Sequence, residues 1–185
     1  MRIFFSLLLV CLSFFYSKAS SLVNGYIILP NGDTLVGQIK FGGFRQATNW
    51  EEVTFVDNAG VETKYKAQKG EVKGYGIESF GIKKDFIYFE LKPKANSRWF
   101  ERIYTGAAYS LYGSSVTGSF GTVDVTSIWY VLQKPSGEFQ FLETCGICPW
   151  RKNLSTFLAE DADALTGLEE VKAKELGKYL KKICR

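Results

Sequence analysis

Three cysteines give this 185-residue chain its clearest candidate chemistry. Cys145-Gly146-Ile147-Cys148-Pro149 stands between a predicted strand and a predicted helix, where thioredoxin-like redox enzymes carry their C-x-x-C. A helix N-terminus at that point would stabilise a thiolate and lower its pKa. The preceding chain reads as β-hairpins, however, and lacks the βαβ arrangement of that fold. Pro149 also places the helix start after the motif. Cys184 leaves an odd third thiol, and in an oxidising compartment the simpler expectation is a structural bridge from Cys184 to Cys145 or Cys148. Such a bridge closes a loop of about 35–40 residues and contributes roughly 3–4 kcal/mol in the chain-entropy picture. A catalytic Cys145–Cys148 dithiol ranks second, and three thiolates without a fourth ligand make a poor zinc site.

Other chemistries are narrowed by composition. The chain has no histidine, which excludes Ser-His-Asp and Cys-His catalysis and the His-containing zinc sites. Neither a G-x-x-x-x-G-K-[ST] loop nor a G-x-S-x-G elbow occurs. Carboxylates remain, and Glu90 and Glu101 lie in strong strand patterns where a glycosidase pair would need one raised pKa. Solvent-facing positions, or pairing with Arg98 or Arg102, explain them more simply. Asp33 reads as a turn cap. Among the aromatics, Trp50, Trp99 and Trp129 are the candidates for lining a groove for sugar or lipid, although rings also fill small β cores. No metal site and no cofactor is expected.

These residues must be carried by a chain with a secretory layout at its start. Arg2 is followed by the apolar run Ile3–Tyr16 and by Ser17-Lys18-Ala19, so residues 1–19 read as a signal peptide cleaved after Ala19. The run is short for a membrane span of roughly 20 residues, and Cys11 lacks a lipoprotein context. Removing Arg2 and Lys18 leaves 21 positive against 19 negative residues, down from the full chain's net +4. That balance argues against nucleic-acid binding. The mature part contains no further apolar run able to span a bilayer, and the expected localisation is exported: periplasm, cell surface or medium.

Residues 20–185 are long enough for one domain. Gly25–Phe41 (GYIILPNGDTLVGQIKF) spells a hairpin around Pro30-Asn31-Gly32-Asp33. Glu52–Val56 and Val61–Ala67 form a second hairpin, the latter alternating as a half-buried strand should. Further strands are expected over Glu71–Phe80 (irregular), Asp85–Lys92, Arg98–Thr105, Ala107–Tyr112, Val125–Lys134 and Glu138–Glu143. Gly113–Gly121 is expected to be a mobile loop. Tyr26–Leu29, Phe86–Leu91 and Ile128–Leu132 are apolar on both faces and call for a second layer from a folded-over sheet, the C-terminal helices or a partner subunit. From Pro149 the period changes, giving two amphipathic helices within 149–184. The expected fold is mainly β (α+β): an antiparallel meander of hairpins forming a sandwich or barrel-like sheet, capped by two C-terminal helices.

The motifs GYIILPNGDTLVGQIKF at 25–41, FERIYTGAAYSLYG at 100–113, WYVLQKPSGEF at 129–139 and RKNLSTFLAEDADAL at 151–165 resemble a family of uncharacterised exported proteins typical of Bacteroidota. The resemblance implies export and a β-rich body with C-terminal helices, and it brings no catalytic residues. Three functions compete. The first is an exported, non-enzymatic binding or structural protein of the cell envelope. The others are a thiol-disulfide oxidoreductase using Cys145 and Cys148, and a barrel carrying a small apolar ligand. The expected partner is a protein, a glycan or a small apolar ligand, or a second copy of the chain.

Overall fold

The computed structural model describes residues 21–41, 52–79, 81–92, 94–120, 123–144 and 148–185. The expected signal peptide, Trp50 and Cys145 lie outside them. The described chain is mainly antiparallel β with C-terminal helices, as its hairpin grammar requires. It divides into two compact units, the first ending at Lys83 and the second beginning at Lys84.

The first unit contains β1 (Ser21–Ile28), β2 (Thr34–Phe41), β3 (Glu52–Val56), β4 (Glu62–Lys66) and β5 (Gly74–Ser79). They lie in the order β5-β1-β2-β3-β4. The opening hairpin is thus central, with β1 bonded to β2 on one side and to β5 on the other. Period-two alternation sends Gly25, Ile27, Ile39 and Phe55 inward. Of these, Ile27, Ile39 and Phe55 are buried side chains of the core. β4 pairs only with β3, and its Glu62, Lys64 and Lys66 are exposed, charges that protect an edge from pairing with another chain. Its expected half-burial is limited to Tyr65, because an edge position leaves Thr63 in solvent.

Three hairpins close with one turn. In Leu29–Asp33, Asp57–Val61 and Lys134–Glu138 the carbonyl of the first residue accepts the N–H of a glycine at 2.9, 3.0 and 3.0 Å. The first residue's own N–H donates to the last residue's carbonyl at 2.8, 3.1 and 2.8 Å. Gly32, Gly60 and Gly137 take φ of 93°, 83° and 92°, the left-handed step that follows a type I turn in such loops. Asp33 and Asp57 are spent locally: Asn31 Nδ2 donates to Asp33 at 2.6 Å, and Asp57 Oδ1 accepts the N–H groups of Ala59 and Val61. A Cβ on Gly137 would meet no atom within 4 Å, so only its φ resists substitution. Gly137→Ala is expected to cost about 1–2 kcal/mol in urea unfolding and Gly137→Asn distinctly less, since Asn tolerates the left-handed region.

The second unit carries β6 (Ile82–Phe89, whose first two residues precede the division), β7 (Arg98–Thr105), β8 (Ser110–Phe120), β9 (Val123–Gln133) and β10 (Phe139–Glu143) in sequential order. The expected loop at 113–121 is corrected, since residues up to Phe120 continue β8 and pair with β9 from Val123 to Gln133. Small side chains suggested a loop, but the ladder is built from backbone groups, and a long partner strand pairs with them residue by residue. Among the described residues β10 pairs only with β9, and the sheet is not closed into a barrel.

Three short helices follow, in place of the two expected: α1 (Trp150–Phe157), α2 (Ala162–Leu165) and α3 (Leu176–Ile183), with 3-10 turns at Leu168–Glu170 and Ala173–Glu175. Asp161 caps α2 by accepting the Ala164 N–H at 2.9 Å. Val171 and Lys172 are extended, and this breaks the second expected helix. Arg151 on α1 holds that break, its guanidinium donating to the Val171 carbonyl at 2.6 Å and the Leu168 carbonyl at 3.4 Å. Among the described residues no helix is long and apolar enough to cross a membrane.

Helices and strands share one core: Leu111, Leu132 and Leu142 meet Leu154, Leu158, Leu176, Leu180 and Cys184, all essentially inaccessible. Two tyrosines fasten it. The Tyr109 hydroxyl donates to Asp161 Oδ2 at 2.9 Å, and the Tyr179 hydroxyl donates to the Ala164 carbonyl. Hydrogen bonds from the Ala164 N–H and the Tyr109 hydroxyl hold the Asp161 carboxyl below its usual range. Burial, then the Asp161 hydrogen bond, pushes Tyr109 from 10.0 up to about 12, and burial pushes the Cys184 thiol from 9.0 up to about 11. Both groups keep their protons longer when folded. The stability this represents is complete below pH 9 and is lost as the pH rises toward 12, because the unfolded chain deprotonates first. Urea midpoints should fall across that window, and less steeply in Tyr109→Phe; parallel slopes would contradict the assignment to Tyr109.

Candidate binding face

β1 and β2 turn a second set of side chains to the other face of the first unit: Leu22, Asn24 and Tyr26, and across from them Val36 and Gln38. Val56, Glu62, Glu78 and Lys83 continue the same surface, which encloses a solvent-open concavity of about 870 Å³. This lies within the range of ligand sites, roughly 300–1,000 Å³. Val36, across from the half-buried Tyr26, is 70% exposed, and Leu22, further along β1, is 48% exposed. β1 therefore presents its second apolar face to solvent, although its two-faced pattern calls for a covering layer.

The floor is set by Tyr26. Its register partner on β5 is Gly76, and a Cβ at that glycine would overlap the phenol ring. Glycine lets the ring lie across the strand and hide the bare backbone beneath it, a recognised way of making an interior glycine tolerable. The Lys83 ammonium stands 4.9 Å from the centroid of the same ring, within cation–π reach. At the rim Lys40 Nζ pairs with Glu62 Oε1 at 2.6 Å. The lining combines three aliphatic side chains, an aromatic ring, three amides and charges of both signs. It can hold a molecule with an apolar body and polar edges, and no nucleophile–base pair stands on it.

The residues singled out by type are distributed elsewhere. Trp99 and Trp129 are 6% and 8% exposed, which corrects their reading as groove-lining rings. Trp99 packs edge-on against Tyr88 at 5.4 Å. Trp129 lies against Phe141 at 5.4 Å and under the Arg98 guanidinium, 4.0 Å from its ring centroid. Burial lowers the Arg98 pKa, and the charge of Glu143 partly restores it. Phe89, Phe100, Tyr112 and Phe139 extend this aromatic face of the second unit by edge-on contacts of 4.9–5.8 Å. The carboxylates do not converge: Glu90 is exposed, and Glu101 pairs with Lys84 at 3.0 Å.

The bridge expected from Cys184 is also corrected. Cys184 is free and buried, because the inward side of α3 carries it into the apolar core. Cys148 is disulfide-bonded, and the free Cys184 is not its partner. No group of three or more metal-ligating side chains occurs among the described residues. Comparison with family models, curated proteins and solved structures finds no match for the chain. The concave face is a site that residue typing missed. Its signal was present in the outward series Leu22-Asn24-Tyr26 and Val36-Gln38, which reads as a demand for a covering layer as readily as for a ligand.

Proposed function

We propose that this chain is an exported, non-enzymatic binding protein of the cell envelope that takes its partner on the concave face of β1 and β2. The observation that carries the reading is Val36, an aliphatic side chain 70% exposed directly across from Tyr26 on an open concavity that Leu22 also lines. Exposed apolar side chains set among polar groups on a concave surface are characteristic of interaction sites. The missing imidazole supports binding over acid–base chemistry. The leader-like residues 1–19, and the resemblance to exported proteins of Bacteroidota, support the compartment. The binding part is tested by titrating isotope-labelled protein with three defined probes: a chito-oligosaccharide, decanoate and an extended apolar peptide. Amide shifts from one probe gathered on Leu22, Tyr26 and Val36 support it, and shifts that avoid these residues with all three overturn it. Mass spectrometry of the protein from an expressing bacterium tests export, with Ser20 as the expected first residue.

A second reading, thiol-disulfide exchange through Cys145 and Cys148, draws support from the disulfide at Cys148 together with the free thiol of Cys184. Reduction of a model disulfide by the dithiol form, lost in Cys145→Ser, would favour it over the binding reading.

A further inference from the structure

Five basic side chains share one side of the closing helix. Lys174 belongs to the preceding 3-10 turn, Lys178, Lys181 and Lys182 to α3, and Arg185 follows it. At about 100° per residue they fall within an arc of about 100°. The opposite arc holds Leu176, Tyr179, Leu180 and Cys184, all buried. All five cations are exposed, and among the described residues none of them forms an ion pair. The neighbouring carboxylates are Glu169, Glu170 and Glu175, also exposed and unpaired.

Local stability does not explain the stripe. One or two cations in the last turn complement the helix dipole, and Lys181 and Lys182 already occupy it. The remaining members add like-charge pairs at four-residue spacing (174 with 178, 178 with 182, 181 with 185), each unfavourable by a few tenths of a kcal/mol. Cations that repel one another, with the neighbouring carboxylates left unpaired, match an anion outside the molecule. The near balance of charge over the rest of the chain gives no general field for collecting a nucleic acid from solution. A single straight row instead matches a surface that presents anions in one plane.

We propose that this stripe docks the protein on an anionic lipid surface, with α3 lying along it. The apolar side of α3 stays in the protein core, so attachment is electrostatic and falls with salt within a Debye length. The inference stands apart from the concave-face reading and uses none of its residues.

The test is co-sedimentation of the full chain with phosphatidylcholine vesicles, with and without phosphatidylglycerol, at low and high salt. Neutral vesicles supply the reference for uptake through the apolar residues 1–19. Partitioning is expected to require phosphatidylglycerol, to disappear at high salt, and to drop about a hundredfold in the triple variant Lys178→Gln, Lys181→Gln, Lys182→Gln. A charge-matched triple at the exposed Lys66, Lys73 and Lys92 should leave it within a few-fold. Circular dichroism verifies that both variants are folded. Equal uptake by neutral vesicles, equal losses in the two triples, or tighter retention of a duplex DNA oligomer than of the anionic vesicles would each overturn the proposal.

Discussion

Gly106→Ala is expected to destabilise the second unit by about 3 kcal/mol or more, the upper range for overpacking. A Cβ on Gly106 would overlap the carbonyl oxygen of Cys184, with the Tyr109 carbonyl close behind. Gly106 is also fixed in place, because its N–H donates to the Tyr109 carbonyl at 2.9 Å. Backbone meets backbone here, so no side chain can rotate aside, and relief requires the end of α3 to lift from the sheet. That would unseat Leu176, Tyr179 and Leu180 together, all members of the core. Urea unfolding of Gly106→Ala should show a much lower midpoint, and Cys184→Ala should not rescue it, since the clash lies with the carbonyl. Wild-type stability would mean that α3 is not seated against the turn before β8.

Leu180→Ala is expected to cost about 2–5 kcal/mol, the range for removing a fully buried leucine from a core that relaxes only in part. Leu180 is inaccessible within the cluster joining α1 and α3 to β8, β9 and β10. The next residue supplies the control. Lys181 is exposed and unpaired, and its replacement by alanine should change stability by no more than about 0.5 kcal/mol. A disparity of about fourfold or more between adjacent positions is the signature of a helix with one side in the core. Equal effects would contradict the orientation that places the basic stripe outward.

Much of this architecture is legible in the residues, for reasons that differ along the chain. The hairpin turns are local: a glycine four residues past the strand end, with Pro, Asn or Ser shortly before it, is enough to specify Leu29–Asp33, Asp57–Val61 and Lys134–Glu138. The strands follow from alternation, and of the two-faced run Ile128–Leu132 the residues from Trp129 on are buried while Ile128 is 45% exposed. The helical breaks are not local. Residues 166–175 keep an apolar rhythm, yet Arg151 from α1 takes the carbonyls of Leu168 and Val171 and holds the backbone in turns and extended steps. The strand at 113–120 was hidden for a similar reason, as its ladder depends on β9 and its own side chains give little sign of it.

The candidate site was less legible than the fold. Tryptophan is the residue most readily read as a binding platform, but Trp99 is buried against Tyr88 and Trp129 against Phe141, and aliphatic Val36 and Leu22 stand in solvent. Residue type does not report which layer covers a strand, and β1 has the same two-faced composition as β9 with a different outcome. The cysteines carry the same lesson. Spacing left every pairing of Cys145, Cys148 and Cys184 open, and the turn of α3 that points Cys184 into the core removed it from them.

The binding reading meets its most direct test in one paired comparison. Val36→Lys and Ile128→Lys each place a charge at an exposed apolar position, and Ile128 does not line the concavity. Both variants should unfold at the wild-type urea concentration, within about 0.5 kcal/mol. With whichever of the three probes shifts Leu22, Tyr26 and Val36, Val36→Lys should weaken binding at least tenfold, about 1.4 kcal/mol, and Ile128→Lys should leave it unchanged. Equal affinity in the two variants would contradict the assignment of this face as the binding surface.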